Sequence, residues 1–431
     1  MNPDLFTSTL TLTREGLEKS LTQLMPPCAY RDFCSGMLSA EAPLRDRWLE
    51  LMGIPQMIRL FLYLTKDVAR EQDWPRLIEC SVPVNIYQMY EVISDNLAIG
   101  LAQPSETDSS YDARRQVLLA FNDVMVQRLE GRATPTSQLL EPVQAHAERI
   151  SSFEQSLSPK KHREFAQRYL ERHPEVSSHA LEHALWPCLI ANIDACVALE
   201  RLSAGTPIGP MVRRGLISRY AGVNALLREP DMSFDRRMRI GVDTILVVPM
   251  TAWYVGILAQ LHQEKGFQAL VDDGTLAAVL DDSALLLRLL NDLGTAVVTQ
   301  TDQERKELLK PLRKEAMRDA SQSLSRVLLG TCQTNQSLSR VYKDVQHGEF
   351  NVCLHGLMDS PAVQSLEIFE SRLSDAARLY TSHRKRWEAN LLGLRARLSH
   401  PAISHVIQQF VVFHEKLYAH SFSEQRGEYA V

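Results

Sequence analysis

Oxygen-bearing side chains recur at helical spacing between residues 285 and 299, where the chain reads LLLRLLNDLGTAVVT. Asn291, Thr295 and Thr299 follow one another at intervals of four residues, so a continuous helix would align them on one face, with Arg288 one turn earlier. Amide and hydroxyl oxygens are ligands that suit Mg²⁺, which often binds substrate phosphate as well. The stretch predicts either a magnesium site beside a phosphate or an amphipathic core helix without chemistry.

The segment from Arg288 to Thr295, RLLNDLGT, resembles the second metal motif of class I terpene synthases, (N/D)D(L/I/V)x(S/T)xxxE. Thr299 stands where that family has an acid, so the motif is degenerate at its last position. The resemblance implies that Asn291, Thr295 and Thr299 ligate Mg²⁺ and that Arg288 contacts the substrate.

A second stretch, SDNLAI at residues 94–99, resembles a degraded form of the family's aspartate-rich motif, DDxxD. It lies near the end of a predicted helix, and a polar loop follows it. Asp95 keeps a carboxylate, Asn96 offers an amide oxygen, and Ile99 offers no ligand. The resemblance implies that Asp95 and Asn96 are further Mg²⁺ ligands. The alternative is an Asp-Asn pair that ends a helix before a turn.

Two basic segments complete the resemblance. The first, FDRRMRIGV at residues 234–242, is similar to the family segment in which an arginine senses the substrate diphosphate, so Arg237 would be that sensor and Gly241 the effector whose carbonyl faces the substrate. In the second, Arg378 and Tyr380 lie about as far beyond the metal motif as the family's Arg-Tyr pair. The resemblance implies that Arg378 binds diphosphate and that Tyr380 helps to close the site. A helix start followed by core and a basic surface helix are the alternatives.

The elements that must position these residues are helices. Among 431 residues, 45% are hydrophobic, glycine and proline number only 19 and 20, and long segments repeat with a period near 3.6 residues. The sequence therefore predicts an all-α fold, and the resemblance implies a single-domain bundle of the isoprenoid-synthase type. We expect an N-terminal helical segment over 1–50, an α-domain over 51–400 with a polar insertion near 131–180, and a C-terminal helix and tail over 401–431.

Composition narrows the class of protein. The net charge of −5 and the ordinary charged fraction argue against a nucleic-acid partner. We find neither an apolar run of about 18 residues nor a signal-like leader, so we expect a cytoplasmic chain without an integral membrane segment. The seven cysteines are scattered and form no CxxC pair, which is typical of reduced thiols. A homodimer is compatible with these features.

The implied activity is that of a class I terpene synthase. Mg²⁺ ions and arginines would bind a linear C15 or C20 prenyl diphosphate and neutralise the leaving diphosphate, and an apolar, aromatic-lined pocket would steer the carbocation to a cyclic product. The candidate aromatic side chains are Tyr87, Tyr90, Trp253 and Tyr254.

Other functions stay open. The chain could be a non-catalytic helical binding or scaffold protein, or another helical enzyme such as a prenyltransferase. A di-iron oxygenase would use residues such as His179, Glu182 and His183, but it needs further Glu and His ligands on facing helices, and the sequence shows no second convincing set.

Overall fold

The computed structural model describes residues 3–102, 110–154, 158–229, 231–333 and 335–419. Over these ranges the ordered elements are helices, and the one β-type pairing is an isolated antiparallel bridge between Ser323 and Pro361. The predicted all-α class is confirmed. The chain divides into two compact units, a first unit of Met1–Ile99 with Glu106–Gly209, and a second unit of Gly100–Ser105 with Pro210–Val431.

The first unit is built around one long helix that packs against both its N-terminal and its C-terminal neighbours. Its helices are α1 (Pro3–Leu24), α2 (Ala29–Leu38), α3 (Ala42–Leu51), α4 (Ile54–Thr65), α5 (Trp74–Ala98), α6 (Tyr111–Leu129), α7 (Thr136–Leu140), α8 (Gln144–Ala147), α9 (Pro159–Leu170), α10 (Ser178–Glu182) and α11 (Leu185–Ser203). Helix α5 packs against α1 and α11. It buries Leu77, Tyr87 and Leu97, and a hydrogen bond of 3.1 Å from Asn85 Nδ2 to Thr13 Oγ1 ties it to α1.

The second unit is organised around a buried helix that carries the residues of the predicted metal motif. Its helices are α12 (Gly209–Arg228), α13 (Phe234–Asp243), α14 (Val247–Leu261), α15 (Phe267–Asp272), α16 (Thr275–Leu293), α17 (Thr295–Thr299), α18 (Asp302–Arg318), α19 (Leu324–Cys332), α20 (Ser339–His347), α21 (Ala362–Arg397) and α22 (Ala402–Leu417). Helix α16 packs against α14, α21 and α22, and it buries leucines on nearly every side.

Two units replace the single bundle that we expected. The expected boundaries near residues 50 and 400 fall inside the units, and the segment near 131–180 forms α7 to α10 of the first unit. The physical reason is that α1, α5 and α11 bury their apolar faces against one another, while α14, α16, α21 and α22 do the same, so each unit has its own core.

A glycine breaks the helix that the sequence predicts across residues 285–299. Helix α16 ends at Leu293, and Gly294 has a φ of 81° and a ψ of 157°, which side-chain-bearing residues rarely adopt. Helix α17 then begins at Thr295. Because the helix is interrupted, Asn291 and Thr295 do not share one continuous helix face.

One helical stretch, Phe234–Leu261, is apolar and long enough to cross a membrane, but most of its apolar window is buried inside the protein. A short turn also divides it into α13 and α14. Buried helices in protein cores are often this long and this apolar. The described residues therefore contain no clear integral membrane segment.

Candidate functional site

The predicted metal ligand Asn291 faces a guanidinium group. Its side-chain oxygen accepts hydrogen bonds from Arg340 Nη2 at 2.6 Å and from the Tyr418 hydroxyl at 3.3 Å. Arg340 Nε also donates to the backbone oxygen of Asn291 at 2.9 Å, and the Arg340 guanidinium lies 4.8 Å from the centre of the Tyr418 ring. The oxygen that would bind a cation therefore lies beside a fixed positive charge.

The carboxylate of the same motif is neutralised within the protein. Asp292 is fully buried; its Oδ1 lies 2.5 Å from Arg288 Nη2, and its Oδ2 accepts a hydrogen bond of 2.8 Å from the Val352 amide. Arg288 also donates to the Phe350 carbonyl at 3.0 Å, and its guanidinium lies 5.1 Å from the Phe350 ring centre. Buried charges need such pairing, so Arg288 and Asp292 form a structural ion pair that joins α16 to the segment after α20.

The two threonines of the motif bind backbone oxygens. Thr295 Oγ1 donates to the Glu415 carbonyl at 2.6 Å, and the Thr295 amide donates to the Tyr418 carbonyl at 3.0 Å. Thr299 is exposed, and its hydroxyl donates to the Thr295 carbonyl at 2.8 Å. Thr295 therefore holds α17 against the end of α22, and Thr299 closes its own helical turn.

These contacts do not fit the Mg²⁺ that the resemblance implies. Among the described residues, no group of three or more His, Cys, Asp or Glu side chains is arranged to hold a metal ion. Arg340 already binds the Asn291 oxygen, and Arg288 already binds Asp292. Asp95 and Asn96 belong to the last turn of α5 in the first unit, where Asp95 is exposed and Asn96 half-buried.

The predicted diphosphate sensor, Arg237, is buried beside a second arginine. Ser233 caps α13, and Arg237, one turn later, donates from Nη2 to Met232 O at 2.8 Å and from Nη1 to His355 O at 3.1 Å. Arg372 of α21 donates to the same His355 oxygen at 2.9 Å. Burial, and then the charge of Arg372, lower the pKa of Arg237 to about 10. Within the described residues, neither arginine has a carboxylate partner, and Arg237 Nε has no hydrogen-bond acceptor.

Gly241 lies where two side chains approach the backbone of α13. A Cβ at this position would come within 3.0 Å of Val352 Cγ1 and 3.4 Å of Phe350 Cε1. The Gly241 carbonyl accepts a hydrogen bond of 2.8 Å from Thr244 Oγ1. Close packing is thus a sufficient reason for the glycine, and its carbonyl is already bonded within the helix.

Arg378 and Tyr380 point in different directions. Residues two apart on a helix are separated by about 200°, so the two side chains cannot share one face of α21. Arg378 is exposed and pairs with Asp375, whereas the buried Tyr380 donates its hydroxyl proton to Glu415 Oε1 at 2.8 Å. Tyr380 therefore connects α21 to α22.

The histidines considered for an iron site form a surface cluster. The rings of His179 and His183 stack with their centroids 4.2 Å apart. The Glu182 carboxylate accepts hydrogen bonds from Ser151 Oγ at 2.6 Å and Arg163 Nη2 at 3.1 Å. Ring stacking and a salt-bridged carboxylate account for these residues without a metal.

A cavity of about 190 Å³ lies within the first unit, between α1–α5, α9 and α11. Most of its wall is aliphatic, aromatic or sulfur-containing. Representative wall residues are Leu17, Tyr30, Trp48, Met52, Met89 and Leu185. Among the lining residues that the structure describes there is no Asp, Glu, Lys or Arg. The four most polar lining side chains are those of Asn96, Ser152, Ser158 and His162.

Most polar groups of the cavity wall are bonded within the protein. The Tyr90 hydroxyl lies 3.1 Å from Ser20 Oγ, and Ser152 Oγ donates to the Glu182 carbonyl at 2.8 Å. The Asn96 side chain is different, because its amide has no hydrogen-bond partner in the described part of the chain. Asn96 is therefore a polar group that a bound molecule could engage.

His162 belongs to the aromatic side of the wall. Its ring stacks on Phe153 with centroids 6.0 Å apart and meets Trp48 edge-on at 5.9 Å, while Nδ1 lies 3.2 Å from the Ser158 carbonyl. Burial lowers the pKa of His162, so the ring is neutral near pH 7. The part of the wall that the structure describes thus adds no charge to the cavity.

The sequence identified only part of this cavity. Of the four aromatic side chains proposed for a pocket wall, Tyr90 lines the cavity, whereas Tyr87 is buried in the core of the same unit, and Trp253 and Tyr254 belong to the second unit. Asn96 was identified for a different role, as a metal ligand. No sequence motif marks Trp48, Phe153 or His162, which come together only through packing.

No family model matches this chain, and no curated protein or solved structure gives a significant match to it. Membership of the terpene synthases therefore stays a prediction from the motifs, and the geometry within each unit is what supports a function.

Proposed function

We propose that the first unit binds a small apolar molecule in the cavity between α1–α5, α9 and α11. The observation that carries this proposal is a space of about 190 Å³ whose described lining residues include no Asp, Glu, Lys or Arg. An enclosed apolar cavity of about 150 Å³ in another protein binds benzene, so this partly open cavity is large enough for a ligand of that size. Burial of the ligand's apolar surface, at roughly 25 cal/mol per Å², would supply the affinity.

The cavity is partly open to solvent, and Val92 in its wall is exposed. Protein interiors normally leave few voids larger than a water molecule. A bound apolar molecule would displace water from the wall and gain dispersion contacts with it.

The composition of the wall suits ligands of variable shape. Met25, Met52 and Met89 line the cavity, and thioether side chains adapt to irregular surfaces. Trp48 and Phe153 add rigid apolar surface. The wall therefore favours a compact or branched apolar body over one particular outline.

A cavity-filling substitution tests this function. Leu51 is half-buried at the cavity, so Leu51→Trp places an indole in the space that a ligand would occupy. Geraniol at about 100 times its Kd should stabilise the unsubstituted unit by about 2.7 kcal/mol, or roughly 5–10 °C in Tm, and should not stabilise L51W. Differential scanning calorimetry of the whole chain measures both.

The matched control is Leu12→Trp, since Leu12 is exposed on α1 of the same unit and lies outside the cavity wall. Geraniol should stabilise L12W as it does the unsubstituted chain. Equal stabilisation of L51W and L12W, or none of the unsubstituted chain, would contradict the proposal.

A second candidate function is the binding of a diphosphate by the second unit. The observation that favours it is the pair Arg237 and Arg372, two neighbouring guanidinium groups for which the described residues supply no carboxylate. Guanidinium groups bind phosphate oxygens well. The resemblance would make the ligand a C15 or C20 prenyl diphosphate. Since the contacts of Asn291 and Asp292 do not fit Mg²⁺, this candidate extends to binding and not to cyclisation.

A further inference from the structure

We propose that the cavity of the first unit selects an uncharged molecule with one hydrogen-bonding group, and that the Asn96 side chain binds this group. The inference rests on the proposed ligand-binding function of the cavity and adds the chemical class of the ligand: a neutral alcohol, ketone or amide with an apolar body.

The described part of the cavity wall carries no charged side chain, which disfavours ligands whose charge must enter the cavity. Among the described residues that line the cavity there is no Asp, Glu, Lys or Arg, and burial keeps His162 neutral near pH 7. A carboxylate or ammonium group entering this space would lose its hydration without gaining a partner of opposite charge, which is among the costliest events in a protein interior. Fatty-acid anions and phosphorylated molecules are therefore poor ligands.

Asn96 is a polar side chain of the described wall that remains available to a ligand. The Tyr90 hydroxyl is engaged by Ser20, and the Ser152 hydroxyl by the Glu182 carbonyl. The Asn96 amide carries both donor and acceptor groups and, over the described ranges, bonds to no protein atom. A ligand hydroxyl or carbonyl would satisfy it, whereas a hydrocarbon would cover it and leave it unbonded.

The position of Asn96 fixes the orientation of the ligand. Asn96 lies in the last turn of α5, and Met89 and Tyr90 line the cavity about two turns earlier on the same helix. The polar end of the ligand would lie at Asn96, and its apolar body would extend along α5 toward Trp48 and Leu17. Because the three methionines let the apolar wall adapt to several outlines, the choice among ligands is made at the polar end.

Three probes with one branched carbon skeleton isolate this contact: geraniol, which has a hydroxyl group; myrcene, a hydrocarbon; and geranic acid, an anion at pH 8. Titration calorimetry on the whole chain should show geraniol binding about tenfold more tightly than myrcene. Geraniol can form a hydrogen bond with the Asn96 amide, whereas myrcene would bury the amide without a partner, and this difference is worth about 1.4 kcal/mol. Geranic acid should bind more weakly than either.

The variant Asn96→Leu removes the amide at nearly constant volume. It should bind geraniol and myrcene with similar affinity, losing the tenfold preference. Gln88→Leu is the matched control, since Gln88 is a half-buried amide on the same helix that lies outside the cavity wall. This control should keep the preference for geraniol.

The outcomes separate this inference from the function on which it rests. If the unsubstituted chain binds none of the three probes, the proposed function itself fails. If the chain binds myrcene as tightly as geraniol, or binds geranic acid best, the cavity function stands and the selection by Asn96 is overturned. That comparison uses the unsubstituted chain, so it decides the matter even if Asn96→Leu does not fold.

Discussion

Arg237 and Arg372 place two positive charges against one backbone oxygen, that of His355. Each guanidinium is held by carbonyl groups, which satisfy hydrogen bonds but carry no full negative charge. Burial therefore opposes the charge of Arg237, and its pKa falls to about 10. An anion that reached this pair would relieve the repulsion between the arginines.

Pyrophosphate binding tests that arrangement. We expect Arg237→Met and Arg372→Met each to weaken the binding of inorganic pyrophosphate at least tenfold, because a hydrogen bond to a charged group contributes about 1.5–3 kcal/mol. Isothermal titration at low salt, without added metal, gives the Kd. Arg378→Met is the control, because Arg378 is exposed and paired with Asp375. Equal Kd values in all three variants would exclude the site.

At the scale of residues, the sequence identified side chains but not their partners. It singled out Asn291 and Arg237 by type and spacing, yet the atoms that determine their roles belong to Arg340, Tyr418 and Arg372, 49 to 135 positions away in the chain. Spacing along one helix gives no information about such long-range contacts. The role of Asn96 was likewise open, because the cavity beside it is made by other helices.

At the scale of elements, Gly294 divides the predicted metal motif between two helices, α16 and α17. Its φ and ψ lie in a region that only glycine populates readily, and a Cβ there would meet the Tyr418 carbonyl oxygen at 3.2 Å. The break ends α16 at Leu293, and Thr295, the first residue of α17, donates to the Glu415 carbonyl near the end of α22.

Gly294→Ala should destabilise the second unit. Backbone strain of this kind costs about 1–3 kcal/mol, and the close approach to Tyr418 adds to it. Urea unfolding followed by circular dichroism measures the loss. Gly330→Ala provides the comparison, because Gly330 is helical and a Cβ at this position would have no other atom within 4 Å. Gly330→Ala should leave the stability unchanged or raise it by about 0.4–1 kcal/mol. A similar loss of stability in both variants would argue against backbone strain at Gly294.

Helical periodicity predicted the all-α class because apolar side chains recur every three to four residues in nearly all segments. The same signal could not place the break at Gly294, since apolar residues continue on both sides of it and one glycine inside a helix costs only about 1 kcal/mol. The single-bundle expectation came from the resemblance, and periodicity does not specify which helices pack together.

At the scale of the whole molecule, two cores predict two unfolding transitions, and a histidine distinguishes them. His414, in α22 of the second unit, packs among the rings of Phe410, Phe413 and Tyr418, with centroids 4.5, 5.2 and 5.8 Å away. Burial lowers its pKa from 6.5 to about 4. The folded unit thus binds fewer protons than the unfolded chain between these values, and its stability falls as pH falls through this window.

Calorimetry of the whole chain should show the Tm of one transition falling between pH 7 and pH 5. The fall should correspond to a loss of about 1–2 kcal/mol in the free energy of unfolding of the second unit. His414→Gln keeps a donor for the Phe410 carbonyl but does not titrate, so its acid shift should be smaller. An unchanged shift in H414Q would assign the acid sensitivity to other groups.

The contacts of Thr295 and Asn291 with the end of α22 also set an order of events in biosynthesis. They join residues 120 and 127 positions apart, so they close a long loop of chain. The first unit precedes them and can fold while synthesis continues. The turn at Gly294, by contrast, cannot acquire its final bonding until residues 415–418 have left the ribosome. A nascent chain stalled before that point would carry Asn291 and Thr295 without two of their partners, although the sequence around them is complete.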